Sequence, residues 1–295
     1  MKPFIIYHPG YAAQTAITSM RKLTPIANEV KSLGIGEFID PEAFDSYQEV
    51  IPALKNLHDP DYVEAVLSGK GDLARSAFNE WSPEIRDGVM RMNYGMLLAM
   101  QHLERRIVIN LAQGFHHAVY EQGMGFCTFN GLALVASAFP KKSIFVLDCD
   151  QHGGNGTEDF AARLPNLFNF TINGSSFDCK PKTTRSISIN LQRNQWPEYQ
   201  SALNKALDLI DEQRPDVVIY QAGVDCHEGD PFGTLQLSTS QLRSRDEFVI
   251  RSIFQKGIPL IVTLAGGYQE PIETKLLGLH LQTVLVASEV LSEMK

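Results

Sequence analysis

Four short segments carry the side chains of this sequence that could do chemistry together. They are residues 114–117 (Gly-Phe-His-His), 148–152 (Asp-Cys-Asp-Gln-His), 222–225 (Ala-Gly-Val-Asp) and 265–268 (Ala-Gly-Gly-Tyr). Each follows an apolar run typical of a buried strand. Together they supply carboxylates, imidazoles and a phenol, which are the groups that a metal-activated water needs to attack an amide or a similar carbonyl.

The segment 148–152 places a potential metal ligand at every second position. Residues two apart in an extended chain face the same side, so Asp148, Asp150 and His152 are predicted to project together. Asp225 ends another apolar run, and two aspartates, one histidine and a water make a four-coordinate catalytic metal site. For Asp225 alone, capping of the following helix stays an alternative. Three polar groups on one strand edge are costly to desolvate without a cation, which favours a metal.

The adjacent His116 and His117 cannot both be simple ligands on one face. One imidazole can act as the base for the water, and the other can hold the polarised carbonyl or its leaving nitrogen. Each needs an acceptor on its far ring nitrogen, for which Asp148 and Asn155 are the candidates. A structural histidine pair in a loop is the alternative.

Tyr268 follows two glycines that let the backbone approach closely or take positive φ. A phenol at this place could donate a hydrogen bond to a developing oxyanion opposite the metal. The alternative is an ordinary buried tyrosine.

Seven near-continuous apolar runs predict the strands that position these segments. They are residues 4–7, 107–111, 143–148, 167–172, 186–190, 217–221 and 259–264. Helices are predicted at 83–103, 198–213, 240–255 and 275–294, and loops at 69–82, 173–185 and 226–237. Such runs are typical of a parallel sheet covered on both faces. The sequence predicts one α/β domain over residues 1–295, with a doubly wound, mostly parallel sheet flanked by helices and ligands bound at the carboxyl ends of its strands.

The charge and cysteine content exclude several classes of protein. The net charge is −8 and no Lys/Arg-rich run occurs, so no nucleic acid is expected as a partner. No apolar stretch approaches the ~20 residues that span a bilayer, and the amino-terminal run is typical of a strand and not of a signal peptide. Four cysteines without a C-x-x-C pair suit reduced thiols, which predicts a cytoplasmic protein. No pattern indicates an oligomeric state.

In this order the segments resemble the zinc-dependent histone deacetylase family of the arginase/deacetylase fold, which includes bacterial histone deacetylase-like amidohydrolases. The matching strings are Gly-Phe-His-His-Ala (114–118), Gly-Phe-Cys (125–127), Asp-Cys-Asp-Gln-His-Gly-Gly-Asn-Gly (148–156), Ala-Gly-Val-Asp (222–225), Gly-Asp-Pro (229–231) and Gly-Gly-Tyr (266–268). The string His-Asp-Pro-Asp-Tyr-Val (58–63) is similar to an early His…Tyr segment of that family. The resemblance covers most of the chain from about residue 107 onward.

The resemblance implies three sets of site residues. The ligands of one catalytic zinc ion would be Asp150, His152 and Asp225. The catalytic groups would be His116, His117, Asp148, Asn155 and Tyr268. The substrate-binding residues would be Gly125, Phe126, Phe232 and Gly266.

Within these sets the implied roles differ. His117 would be the general base and later the acid, and His116, hydrogen-bonded to Asp148, would be its electrostatic partner. Tyr268 would polarise the acetyl carbonyl, and Phe126 would form one wall of a tunnel around the acyl-lysine stem. The resemblance also implies a structural potassium ion near Asp148. An arginine lining an internal acetate cavity is expected in the family, and residue 21 is its closest match here.

Three positions depart from the family's pattern. Asn155 stands where many relatives have an aspartate, and a neutral amide stabilises an imidazolium less, which predicts a lowered pKa and a neutral, water-activating His117. The loop that should carry a substrate-binding aspartate offers Asn79 or Glu80 instead. Phe232 stands where relatives vary between Met and Leu, and it is expected to narrow the rim.

The leading hypothesis is hydrolysis of an N-acetyl amide in acetyl-lysine of a peptide or protein, or in a small acylated amine such as an acetylpolyamine. An arginase-type hydrolase with two manganese ions shares the fold, but it needs a further acidic ligand where Cys226 and His227 stand. A non-catalytic acetyl-lysine-binding module is the third hypothesis. It is disfavoured because neither the tyrosine nor a metal ligand is missing.

Overall fold

The computed structural model describes residues 1–13, 15, 17–43, 46–174 and 179–293. Residues 175–178 of one predicted loop, and residue 294 of the last predicted helix, lie outside the described residues. No helix in the described part of the chain is both long and apolar enough to cross a membrane.

The described residues form one sheet of eight strands. They are β1 (Phe4–Ile6), β2 (Glu37–Ile39), β3 (Ile107–Asn110), β4 (Ile144–Asp148), β5 (Leu167–Asn173), β6 (Ser186–Asn190), β7 (Val217–Gln221) and β8 (Leu260–Thr263). Their order across the sheet is β2-β1-β3-β8-β7-β4-β5-β6, and all seven neighbouring pairs are parallel. The predicted single-domain, doubly wound α/β fold is confirmed, with a sheet that is parallel throughout.

The seven predicted strands occur within one or two residues of their predicted ends. The central strands β3, β4, β7 and β8 are buried along their whole length, whereas the edge strand β6 is only partly buried. Strand β2 was not predicted. It has only three residues, lies at the edge of the sheet beside β1, and exposes its first residue, Glu37. A strand this short leaves no periodicity in the sequence.

Helices cover both faces of the sheet. They are α1 (Thr18–Arg21), α2 (Leu23–Leu33), α3 (Val50–Leu57), α4 (Pro60–Ser68), α5 (Pro83–Gln101), α6 (Gly131–Ala138), α7 (Asn155–Arg163), α8 (Trp196–Gln213), α9 (Thr239–Gln255) and α10 (Leu277–Ser292). One layer packs α9 against α8 and α10, and α10 against α2; the other packs α6 against α3, α5 and α7. The predicted loop 69–82 contains a 3-10 turn at Asp72–Arg75.

Side-chain caps mark the first residues of two long helices, α5 and α9. The Ser82 hydroxyl accepts a hydrogen bond from the Ile85 backbone N–H at the start of α5, next to a proline in the first turn. Ser238 and Gln241 form a reciprocal capping box at the start of α9. Both helices therefore begin at or next to their predicted first residues.

The register of the four central strands brings the chemically active segments together. Asn110 of β3 lies opposite Thr263 of β8, Thr263 opposite Gln221 of β7, and Gln221 opposite Asp148 of β4. These neighbouring strands end at one level. The four segments that follow them meet at one point of the carboxyl edge although they are far apart in sequence.

Asn130 holds the loop after β3 in place. Its Oδ1 accepts from the Ala133 backbone N–H and caps α6, while its Nδ2 donates to the carbonyls of His116 and Ala118 and to the hydroxyl of Thr157. The side chain is fully buried. One amide therefore connects a helix start to the backbone on both sides of His117.

Asn130→Ala should lower the free energy of unfolding by about 2–4 kcal/mol, because a helix cap is lost and buried carbonyls lose their donor. Urea denaturation followed by circular dichroism measures this. Asn204→Ala, at an exposed position of α8, is the control and should change stability by less than about 0.5 kcal/mol. A loss at residue 130 no larger than that of the control would contradict the assignment.

Candidate active site

Asp150, His152 and Asp225 form a compact group at the ends of β4 and β7. One potential ligand atom from each lies within 4.8 Å of the others. His152 Nδ1 is 3.1 Å from Asp225 Oδ2 and 3.3 Å from Asp150 Oδ1. The three side chains predicted as zinc ligands are therefore brought together, and both carboxylates are buried.

Backbone N–H groups orient the two carboxylates. The Gly266 N–H donates to Asp150 Oδ2 at 2.7 Å, and the Gln151 N–H donates to Asp225 Oδ1 at 2.9 Å. A Cβ atom on Gly266 would lie only 2.2 Å from Asp225 Oδ2, so a glycine is required for this close approach. Gly266, predicted to bind substrate, thus contacts the ligand carboxylates and is not among the residues that line the cavity described below.

The electrostatics of this group suit a cation. Burial and the neighbouring Asp150 carboxylate raise the pKa of Asp225 to about 7. Burial alone would lower the pKa of His152, but hydrogen bonds to the two carboxylates raise it to about 10. Two carboxylates and one imidazole match the protein donor set of a catalytic zinc site, in which the fourth ligand is a water or the substrate. A divalent ion would compensate the two buried negative charges.

The paired histidines have separate partners. His116 Nδ1 lies 2.7 Å from Asp148 Oδ2, and His117 Nδ1 lies 2.7 Å from Asn155 Oδ1. The two rings lie 4.0 Å apart between centroids, and His117 is 5.9 Å from the ring of His152. Both predicted orienting acceptors therefore contact the histidines for which they were considered.

The environments of the two imidazoles push their pKa values apart. Burial would lower the pKa of His116, but the carboxylates of Asp148 and Asp150 outweigh it and raise the pKa. Burial lowers the pKa of His117 well below its usual value, and the charge of His116 lowers it further. The predicted neutral state of His117 thus agrees with the structure, but burial is its main cause; the hydrogen bond to Asn155 acts in the opposite direction.

A cavity of about 220 Å³ opens beside the ligand group. It is lined by His117, Gly125, Phe126, His152, Phe232 and Tyr268. The ring of Tyr268 lies 5.8 Å from that of Phe126 and 5.0 Å from that of Phe232, with the latter pair edge to face. Phe232 is half exposed, which places it at the mouth.

The wall formed by Gly125 and Phe126 depends on a left-handed backbone. Their φ angles are +55° and +63°. A Cβ atom on Gly125 would lie 2.6 Å from the His117 ring, so the turn can pass this close to the histidine only at a glycine. The Phe126 N–H donates to the Ala77 carbonyl, which fixes the turn.

Asp230 holds the tyrosine segment against the mouth. Its carboxylate accepts from the backbone N–H groups of Tyr268 at 2.8 Å and Phe232 at 3.0 Å. Burial raises the pKa of the Tyr268 phenol well above its usual value, so the phenol stays protonated and can donate. Asp230 belongs to the Gly-Asp-Pro string at 229–231, whose sequence alone indicates no role for it.

Lys22 is a site residue that the sequence did not indicate. The expectation that Arg21 lines an internal cavity is wrong, because its side chain is partly exposed and pairs with Glu270 at 2.6 Å. Lys22 is fully buried instead, and its ammonium group donates a hydrogen bond to the Ala265 carbonyl at 2.5 Å, beneath the turn that carries Tyr268. Burial lowers the pKa of Lys22 to about 8 although the site carboxylates oppose the change.

The sequence offers Asn79 and Glu80 as the residues that could bind the substrate amide. Asn79 is exposed and adopts a left-handed conformation with φ +57°. Glu80 is half-buried and accepts a hydrogen bond from the Thr15 hydroxyl. Neither lines the cavity beside Tyr268.

Comparison with known proteins identifies relatives of this chain. The sequence model of the histone deacetylase domain matches residues 17–284. An uncharacterized protein of a Picosynechococcus species is 29% identical over 283 residues, which cover 91% of this chain and 93% of that protein.

Other relatives carry names that state an activity, among them a histone deacetylase and an acetylpolyamine amidohydrolase. Histone deacetylase 2 of Arabidopsis thaliana is 32% identical over 185 residues, which cover 59% of this chain and 48% of that protein. Acetylpolyamine amidohydrolase of Mycoplana ramosa is 28% identical over 188 residues, which cover 58% and 52%. The matched regions thus span about half the length of these two proteins. Since the domain match extends over most of the chain, the protein belongs to the histone deacetylase family of hydrolases.

Proposed function

We propose that the protein is a zinc-dependent amidohydrolase that cleaves the N-acetyl amide of acetyl-lysine or of a related acylated amine. One observation carries the proposal. The acidic ligand group, a neutral histidine and a protonated phenol converge on one cavity with aromatic walls.

Asp150, His152 and Asp225 would hold the zinc ion. When bound, zinc would act as a Lewis acid that polarises the acyl carbonyl and lowers the pKa of the attacking water. In the described part of the chain these residues are the one group of three or more possible ligands that lie this close together. His227, at the position considered for a second metal, instead contacts Thr239. The donor set therefore favours one metal ion over a binuclear site.

His117 is the proposed general base. Its Nδ1 lies against the amide oxygen of Asn155, which can only accept, so the proton resides on Nδ1. Nε2 of the neutral ring then carries the lone pair that can take a proton from the attacking water. The same nitrogen can return that proton to the leaving amine.

His116 is the proposed electrostatic partner. Its hydrogen bond to Asp148 and its raised pKa favour the imidazolium form. A positive charge on the tilted ring 4.0 Å from the centroid of His117 favours the neutral form of His117 before the reaction, and it would help to offset the negative charge that develops on the substrate.

The cavity walls suit an acylated alkylamine. Phe126 and Phe232 offer apolar surface to a methylene stem, and the phenol of Tyr268 can donate to the acyl oxygen as it gains charge. Acetyl-lysine and acetylpolyamines share this stem and amide, so both belong to the proposal. The proposal also includes a structural potassium ion near Asp148, and this ion is supported by the family resemblance alone.

Zinc-loaded protein should release acetate from an acetyl-lysine peptide or from an acetylpolyamine. His117→Ala should reduce kcat by about 10²–10⁴-fold, because the proton transfers lose their base. A coupled acetate assay measures both rates, and the better substrate identifies the preferred class.

His102→Ala is the matched control, since His102 ends α5 at the opposite edge of the sheet and contacts Phe4. It should leave the rate unchanged. A chelator should remove the activity and added zinc should restore it. Zinc-containing protein that binds both substrates but releases acetate from neither would support a binding module instead.

Asn155→Asp should move the acidic limb of the kcat/KM profile to higher pH. The new carboxylate would stabilise the His117 imidazolium and raise its pKa, by on the order of one unit. Activity needs the neutral ring and falls as pH drops through that pKa, so a raised pKa shifts the fall upward. Asn204→Asp, on the surface of α8, is the control. An acidic limb that stays in place would rule out His117 as the titrating base.

A further inference from the structure

Arg245 of α9 is the largest fully buried side chain in the described part of the protein. A guanidinium group is almost never this deep unless it is paired and hydrogen-bonded. The proposed reaction does not use it.

Arg245 contacts one carboxylate and the backbone just after two strands, β4 and β7. Its Nε and Nη2 lie 2.9 and 2.8 Å from Asp246 Oδ1. Its Nη1 donates to the Gly223 carbonyl at 2.7 Å and to the Cys149 carbonyl at 3.2 Å, and it lies 3.3 Å from Cys226 Sγ. The single guanidinium group thus binds backbone carbonyls in the segments that follow β4 and β7.

Those backbone groups are next to the proposed zinc ligands. Cys149 immediately precedes Asp150, while Gly223 and Cys226 lie on either side of Asp225. The guanidinium therefore fixes the backbone that carries one carboxylate relative to the backbone that carries the other.

Asp246 is itself held from two sides. Its Oδ1 accepts from the Tyr220 hydroxyl and its Oδ2 from the Thr283 hydroxyl, both at 2.6 Å. Tyr220 belongs to β7 and Thr283 to α10. The network therefore joins β7 to α9 and α10 and restricts the orientation of Arg245.

We propose that Arg245 is a positioning residue that sets the separation of Asp150 and Asp225 and thereby the affinity for zinc. This inference rests on the proposed function, since it takes these residues as zinc ligands. Outer-shell groups that orient ligands typically change metal affinity by 10–100-fold when they are removed. A lysine keeps the charge but has no planar fork to reach Asp246 and two carbonyls at once.

The test is the zinc dissociation constant of the purified protein, measured by competition with a chromophoric chelator. Arg245→Lys should weaken zinc binding by about 10–100-fold. Thr283→Val, which removes one donor to Asp246 and leaves the arginine, should weaken it by a smaller factor, about threefold. The readout is independent of substrate and of turnover.

Two variants of the same helix are controls. Arg243→Lys changes a partly exposed arginine that pairs with Glu289, and Ile253→Ala removes buried core volume two helical turns further along α9. Both should keep the dissociation constant within about twofold, although Ile253→Ala lowers the melting temperature. A purely structural role for Arg245 predicts that zinc affinity follows stability in all four variants.

The outcomes separate this inference from the proposed function. Wild-type protein that binds one zinc ion, with Arg245→Lys within twofold of it, overturns the inference alone. If Arg245→Lys does not fold, an unchanged affinity in Thr283→Val overturns it equally. Wild-type protein that binds no zinc overturns the proposed function and the inference with it.

Discussion

The burial of three carboxylates at the ends of β4 and β7 is the constraint on which the site depends. Asp148, Asp150 and Asp225 are each at most 2% exposed, and buried charges are stable only when they are paired and hydrogen-bonded. Each accepts from a donor fixed by the fold: His116 for the first, the Gly266 N–H for the second and the Gln151 N–H for the third. A cation between the last two would complete this compensation.

This close packing requires unusual backbone conformations around the carboxylates. Gly266 approaches them more closely than any residue with a Cβ atom could, and the neighbouring Ala265 has a positive φ of +53°. Phe126 is likewise left-handed at the cavity wall. Strained conformations of this kind persist only where surrounding contacts fix them. Lys22, beneath the tyrosine turn, supplies one such contact through the Ala265 carbonyl.

Much of the sheet and the ligand group could be predicted because both depend on local sequence. Apolar runs mark seven strands, and the alternation in 148–152 indicates which side chains project together. What the sequence could not reveal depends on contacts between distant residues. Three features are set by packing, which leaves no spacing pattern in the sequence. Lys22 is buried in place of Arg21, and the side chain of Arg245 points into the core. Gly266 contacts the carboxylates and does not line the cavity.

The central claim is that one zinc ion is held by ligands from two neighbouring strand ends. Anomalous diffraction from zinc-soaked crystals, recorded on both sides of the zinc absorption edge, tests it directly. The account predicts a single strong peak within bonding distance of Asp150, His152 and Asp225. Two peaks bridged by these residues, or zinc bound elsewhere with this group free, would contradict it.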